Sequence, residues 1–495
     1  MSSKRRIFAL AAMIALYLSS RLANLKIIPI FTDEAIYAYW AQVALHDPAN
    51  RFISLEDGKQ PLFIWLAAIA QKFVSDPLVA DRLISVLAGL GSLFGIYFLA
   101  SQLFTRRVAM ISAFLYIVLP FSLLYDRMGL FDSLLTMLGI WSVFFAVRLA
   151  QKIQLDNALL AGAALGLAVV TKSSGIFFLY FLPLSLLFFD FKNKRLKSRF
   201  LRWAGLAAIA VFISLAIYNS LRLSPLFYMI ARKNLEFIRT PAEILADPFL
   251  NLISNAKTLS LWSIEYIGLP LFIMLLAAII LAFYRRNLAA IYFSIIVFAS
   301  FAAESLVNKV IYPRFLLFYF PFAIILIAYV FNLAIEHIGR ISRVIYIVLA
   351  LFLLNPAVNS LRLLTDPSSA KIADADMGQY LNNWPAGWGV SEIVNFLKSH
   401  PQTEKVYVGT EGTFGLLPYA FLIYFYANPS IQAIGYWPVD PTNLPAQILE
   451  LAKDHKTYFV FNENQKEIVN SHLKFLAKYQ KGQGNSFMRL YQVIP

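Results

Sequence analysis

Long apolar runs separated by short charged clusters fill the chain up to about residue 362, and most approach the ~20 residues a helix needs to cross a bilayer core. They predict eleven spans, near 7–27, 79–104, 108–124, 130–149, 157–171, 174–190, 203–222, 263–284, 288–303, 315–334 and 344–362. The apolar stretch 61–73 is too short to cross and predicts an interfacial or re-entrant helix. A longer interruption, 223–262, mixes apolar residues with Arg232, Lys233 and Arg239, as suits a helix lying at headgroup level.

Basic residues orient this set. With the N-terminus inside, the inner connections receive Arg106 and Arg107, then Arg148 and Lys152, then the run from Lys192 to Arg202, then Arg285 with Arg286, and Arg340 with Arg343. Every inner connection is therefore basic, which places loops 28–78 and 223–262 outside. The start, Lys4-Arg5-Arg6 before an apolar stretch, resembles a signal peptide, but Ser20-Arg21-Leu22 offers no small-x-small cleavage site and a retained helix is expected.

After residue 362 Gly, Pro, Asn and Trp become frequent. A helix over 391–399 and strands over 405–410, 457–462 and 487–493 are predicted, without a nucleotide-binding glycine pattern. The expected architecture is a polytopic α-helical membrane domain over 1–362 followed by an extracytoplasmic α/β domain over 363–495.

Composition agrees. The 495 residues are 59% hydrophobic and 14% charged, more apolar surface than one soluble core buries. The net charge of +15 suggests nucleic acid only until it is divided: residues 363–495 carry ten Lys/Arg and eleven Asp/Glu, so the membrane part holds +16, as basic inner loops require. The lipid bilayer, not nucleic acid, is the expected partner. The chain has no cysteine, which excludes disulfides, a thiol nucleophile and Cys-ligated metal.

Charges at membrane depth are costly, so those beside spans invite a functional reading. At the outer ends stand Asp33, Glu34, Lys59, Asp126, Arg127, Asp132, Lys172, Glu304 and Arg314. Thr32 or Asp33 suits a helix cap; Asp33 and Glu34 equally suit a general base that takes the proton of an acceptor hydroxyl attacking an anomeric carbon. Lys59, Arg127, Lys172 and Arg314 suit a lipid-phosphate leaving group, although each taken alone also suits snorkelling at an interface. Asp132 suits pairing with a cation or positioning an acceptor. Asp33, Glu34, Glu56 and Asp57 are hard oxygen ligands, so a divalent metal ion is a possible cofactor. Asp374-Ala375-Asp376 matches the two-carboxylate signature of nucleotide-sugar enzymes, a match that arises often by chance in polar linkers.

These residues resemble the C-type glycosyltransferase (GT-C) superfold, in particular family 39 with the lipid A aminoarabinose transferases and protein O-mannosyltransferases. The resemblance covers roughly 7–320 and rests on Arg21, Asp33-Glu34-Ala35-Ile36-Tyr37, Gly58-Lys59-Gln60-Pro61-Leu62, Arg127 to Asp132, Gly166 to Lys172 and Tyr312-Pro313-Arg314-Phe315. It implies a base at Asp33, a donor-phosphate contact at Lys59, and Asp132 in the site; Glu34 is the second catalytic candidate, and Tyr37, Arg127, Lys172 and Arg314 are candidate substrate contacts. It also implies inverting transfer of a sugar from a polyprenyl-phosphate donor to an extracytoplasmic acceptor (lipid, glycan or protein) at a plasma membrane. Some aminoarabinose transferases carry an acidic metal ligand where Gly58 stands, which leaves metal dependence open. An oligosaccharyl transferase is expected to show Trp-Trp-Asp-Tyr-Gly, for which Trp384-Pro385-Ala386-Gly387-Trp388-Gly389 is a poor substitute. A lipid-linked sugar transporter or flippase predicts broken midplane helices and duplicated halves, and a non-catalytic scaffold predicts no sugar transfer.

Overall fold

The computed structural model describes residues 3–338, 342–401, 403–464, 466 and 468–495. Arg340 lies outside the described residues, as do the side chains of Lys4, Arg5, Arg6 and Arg343. The chain begins with α1 (Ser3–Leu22), α2 (Thr32–His46), the short α3 (Leu62–Ala70), then α4 (Pro77–Leu103), α5 (Arg106–Val118) and α6 (Pro120–Tyr125). It continues with α7 (Phe131–Gln151), α8 (Leu155–Thr171), α9 (Ile176–Phe181), α10 (Leu196–Asn219), α11 (Met229–Phe237) and α12 (Pro241–Ala246). The last membrane helices are α13 (Leu252–Ile267), α14 (Leu269–Tyr284), α15 (Leu288–Val307), α16 (Phe320–Ile338) and α17 (Ser342–Thr365).

Among the described residues six helices are long and apolar enough to cross a bilayer: α4, α7, α10 with its following turn, α15, α16 and α17. The predicted run 263–284 is not one straight helix. It falls on α13 and α14, which meet at 117° and make a seventh candidate span if taken together. Gly268, at φ +82°, and Pro270 turn the chain there. The remaining predicted runs fall on the shorter apolar helices Phe8–Leu22, Leu155–Thr171 and Ser173–Phe188, and on α5–α6, interrupted at Leu119–Pro120. Caps fix several starts. Asp76, Thr105 and Asn287 accept from the third backbone N–H of α4, α5 and α15.

Beyond α17 come α18 (Asp374–Met377), α19 (Val390–Lys398), β1 (Val406–Glu411), α20 (Tyr419–Phe425), β2 (Ile431–Tyr436), α21 (Ala446–Asp454), β3 (Lys456–Phe461), β4 (Leu473–Gln480) and β5 (Phe487–Val493). The sheet has the order β2-β1-β3-β5-β4, with β1 parallel to both neighbours and β5 antiparallel to β3 and β4. Its core includes Ile30, Ala35 and Ala38, so the sheet domain is seated on α2. Tyr39 stacks on Tyr419 at 4.6 Å and Gln42 donates to the Ile423 carbonyl at 2.7 Å. Helix α2 is thereby clamped between the membrane helices and the sheet domain, and its first turn is held where the site lies.

Candidate active site

The first turn of α2 carries two adjacent carboxylates with separate environments. Glu34 is fully buried, paired with Arg82 through two bonds of 2.7 and 2.8 Å, and it also accepts from the backbone of Phe31 at 3.0 Å and Gly129 at 2.6 Å. Arg82 spends its other donors on the carbonyls of Leu25, Ile28 and Pro29. A buried ion pair so fully bonded fastens the loop before α2 to α4. Glu34, expected as a catalytic group, has its oxygens engaged in the interior and does not line the cavity described below.

Asp33 stands apart from that pair. Its Oδ2 accepts from Arg314 Nη1 at 2.8 Å, while no described group bonds Oδ1 and the side chain keeps 22% of its exposure. Arg314 lies over the Tyr312 ring at 5.1 Å and the Phe31 ring at 5.9 Å. Burial works against its charge, but Asp33, with Tyr380 and Asp132 nearby, outweighs burial and keeps the guanidinium charged.

Arg314 forms part of the wall of a cavity of ≈ 310 Å³. Tyr37, Lys59, Asp132, Lys172 and Glu304 share that wall, so six residues read from the sequence meet around one space. Lys172, at the C-cap of α8, binds Asp132 at 2.7 Å and covers the Phe315 ring at 4.5 Å. Tyr37 stacks on Phe131 at 4.3 Å, which aligns α2 with the start of α7. Lys59 makes no ion pair among the described residues and lies 5.4 Å from the Phe237 ring centroid. Burial pushes its ammonium below the ordinary lysine range, and Asp33 and Asp57 pull it back up.

Helix α11 covers the cavity with Lys233, Asn234 and Phe237. Lys233 pairs with Asp57 at 2.8 Å and Glu236 at 2.9 Å. Backbone bonds from Arg239 to Val307 and from Lys309 to Phe237, both 2.7 Å, pin the following strand-like turn to the end of α15. The sequence marked this loop as interfacial, but nothing in it points to a cavity wall. Gly58 explains the close approach. It has φ +65°, and a Cβ there would lie 2.5 Å from both Lys233 Cβ and the Met229 carbonyl oxygen, so no acidic side chain fits at this position.

Arg127 is not a cavity residue. It donates to the carbonyls of Ser20, Arg21, Ala23 and Asn24 at 2.6 to 3.3 Å and so terminates α1. Asp126 accepts from Tyr17, Tyr116 and Ser133 and pairs with Arg21 at 3.5 Å, again in the interior. The four carboxylates considered for metal do not converge either. Asp33, Glu34 and Asp57 are engaged by Arg314, Arg82 and Lys233, Glu56 is exposed, and no metal-binding cluster of three such groups exists among the described residues.

Asp374 and Asp376 also part company: the first is exposed and the second fully buried. Asp376 accepts from Tyr125 at 2.6 Å and from Tyr266, which ties the segment after α17 to α6 and α13. Burial raises its carboxyl to about 7, with the two tyrosine hydroxyls acting in the opposite sense.

Comparison with known proteins follows the same geography. The family described as dolichyl-phosphate-mannose-protein mannosyltransferase matches residues 58–218, a segment that holds Lys59, Asp132 and Lys172 but stops short of Asp33 and Arg314. The structure of ArnT from Cupriavidus metallidurans bound to undecaprenyl phosphate is 14% identical, with a TM-score of 0.57 over 99% of this chain and 98% of that one. The Archaeoglobus fulgidus oligosaccharyltransferase in complex with Zn and sulfate is also 14% identical, with a TM-score of 0.54 over 92% of this chain and 67% of that one. A structure of the archaeal oligosaccharyltransferase AglB from Archaeoglobus fulgidus, in complex with an inhibitory peptide and a dolichol-phosphate, gives 14% identity and a TM-score of 0.52 over 93% and 70%. No curated protein matches. At these identities the likeness is one of fold.

Proposed function

We propose that this multi-pass membrane protein, which has the C-type glycosyltransferase fold, is an inverting glycosyltransferase that moves a sugar from a polyprenyl-phosphate carrier to a hydroxyl of an extracytoplasmic acceptor (lipid, glycan or protein). The observation that carries the reading is one cavity lined by Lys59, Lys172 and Arg314, with Asp33 behind that lining and bonded to Arg314.

The chemistry follows from what each group has left to offer. Asp33 Oδ1 takes the proton of the acceptor as its nucleophilic atom bonds to the anomeric carbon from one face. The carbon–oxygen bond to the phosphate breaks on the other face, and the electron pair leaves with the polyprenyl phosphate. Lys59, without a carboxylate partner, holds the charge that develops on that phosphate, and Lys172 and Arg314 add to the positive field. A phosphate monoester is stable as an anion, so departure needs no separate acid. The basic inner connections support an outward-facing site.

The transporter reading draws on broken helices, and α13–α14 is such a pair, but no residue of 252–284 lines the cavity. The reading is tested by incubating the purified full chain in liposomes with undecaprenyl-phosphate sugars and following release of undecaprenyl phosphate. Carrier movement across the bilayer without sugar release would overturn it.

A further inference from the structure

The charged groups lining the cavity divide by whether they have partners. Lys172 is held by Asp132 at 2.7 Å, Lys233 by Asp57 at 2.8 Å and Arg314 by Asp33 at 2.8 Å. Two are left without a partner among the described residues: Lys59 and Glu304.

Glu304 lies near the outer end of α15 and is 5% exposed. Its carboxylate makes neither an ion pair nor a hydrogen bond among the described residues, and its Oε2 is sealed from solvent without a partner. The Tyr319 hydroxyl is likewise buried and unbonded. Asp81 Oδ2 and Asp376 Oδ1 are also unpartnered, but each of those carboxyls is bonded through its other oxygen, whereas Glu304 has no bond at either among the described residues. An unsatisfied carboxylate in a cavity wall is costly to the free protein and favourable to a ligand that brings a hydrogen-bond donor.

Resting on the glycosyltransferase reading above, we infer that Glu304 forms the sugar subsite, accepting a hydrogen bond from a hydroxyl or ammonium of the donor's sugar while Lys59 takes the phosphate. The cavity, at ≈ 310 Å³, is at the small end of ligand pockets and suits one sugar with its phosphate. The cation and the carboxylate then match the two ends of such a headgroup. A carrier stripped of its sugar satisfies only Lys59.

The test is binding by the full chain in nanodiscs, with undecaprenyl phosphate, undecaprenyl-phosphate glucose and undecaprenyl-phosphate glucosamine as probes, for wild type, Glu304→Gln and Glu304→Ala. Wild type should bind at least one sugar-loaded carrier more tightly than undecaprenyl phosphate. Both variants should bind undecaprenyl phosphate within about twofold of wild type, which also reports that they are folded, and lose ~10- to 100-fold on the preferred sugar-loaded carrier. Loss on the glucose carrier identifies a hydroxyl contact; loss confined to the glucosamine carrier identifies the ammonium. The inference is overturned by equal weakening on all three probes, by no weakening, or by a wild type that does not distinguish loaded from bare carrier. Discrimination through Glu304 without any sugar transfer would sink the enzyme reading while keeping the subsite, and transfer whose sugar preference survives Glu304→Gln would do the reverse.

Discussion

Arg314 bonds Asp33 at 2.8 Å although 281 positions of sequence separate them. This bond joins the first turn of α2 to the turn before α16, and it leaves Asp33 with one engaged and one available oxygen. Arg314→Ala should therefore remove both a cation of the cavity and the group that orients the base. The expected loss in kcat is ~10²- to 10³-fold, the range seen when one preorganised electrostatic donor is deleted. A variant with wild-type kcat would remove Arg314 from the chemistry.

Lys59 predicts a different signature. In the proposed reaction it is the cavity cation without an ion pair among the described residues and holds the donor phosphate, so Lys59→Ala should raise the donor KM by ~10-fold or more, a charge-assisted bond being lost, and leave the acceptor KM unchanged. Steady-state kinetics with each substrate varied in turn checks this, and an unaltered donor KM would count against the assignment.

The carboxylate next to Asp33 should behave in the opposite way. Glu34→Ala strands Arg82 in the interior, a change that costs ~3–5 kcal/mol where a buried pair loses one member. The melting temperature in detergent should fall steeply, whereas Asp33→Asn, at a partly exposed site, should hardly move it. Equal melting temperatures for the two variants would mean that the buried pair does not hold the loop.

How much of this was legible beforehand depends on what a sequence can encode. Lys59, Asp132, Lys172 and Arg314 stood out because a charge beside a long apolar run is costly and so needs a reason, and these four line the cavity. Arg127 gave the same signal, yet its guanidinium turns inward to carbonyls of α1. Asp33 and Glu34 could not be separated, because adjacency hides which side of a helix each occupies. Strand β4 was missed because most of its residues are exposed at a sheet edge, so its pattern is weak. The sharp bend at Gly268 was hidden inside an uninterrupted apolar run. Lys233 belongs to the cavity only because α11 folds over Gly58, a tertiary fact with no local mark.

Asp376 gives a pH dependence with a definite sign. Its carboxyl is raised to about 7 in the folded chain by burial, so between the ordinary carboxylate range and pH 7 the folded state binds the proton and the unfolded state does not. Stability should then decline as pH rises from about 4 to about 7, with a slope from this group no steeper than ~1.4 kcal/mol per unit. Asp376→Asn retains an acceptor for Tyr125 and Tyr266 and should flatten that part of the melting-temperature profile. An unchanged profile would show that Asp376 is not the titrating group.

The central claim is that Asp33 is the base of a sugar transfer from a polyprenyl-phosphate carrier, and the most direct test compares wild type with Asp33→Asn in purified form. Radiolabelled sugar is followed from a panel of undecaprenyl-phosphate donors into acceptor or water, with folding checked by the melting temperature. The account predicts transfer or donor hydrolysis by wild type and a loss of ~10²-fold or more in the variant, as expected when a general base is removed. Equal turnover by both proteins would contradict it.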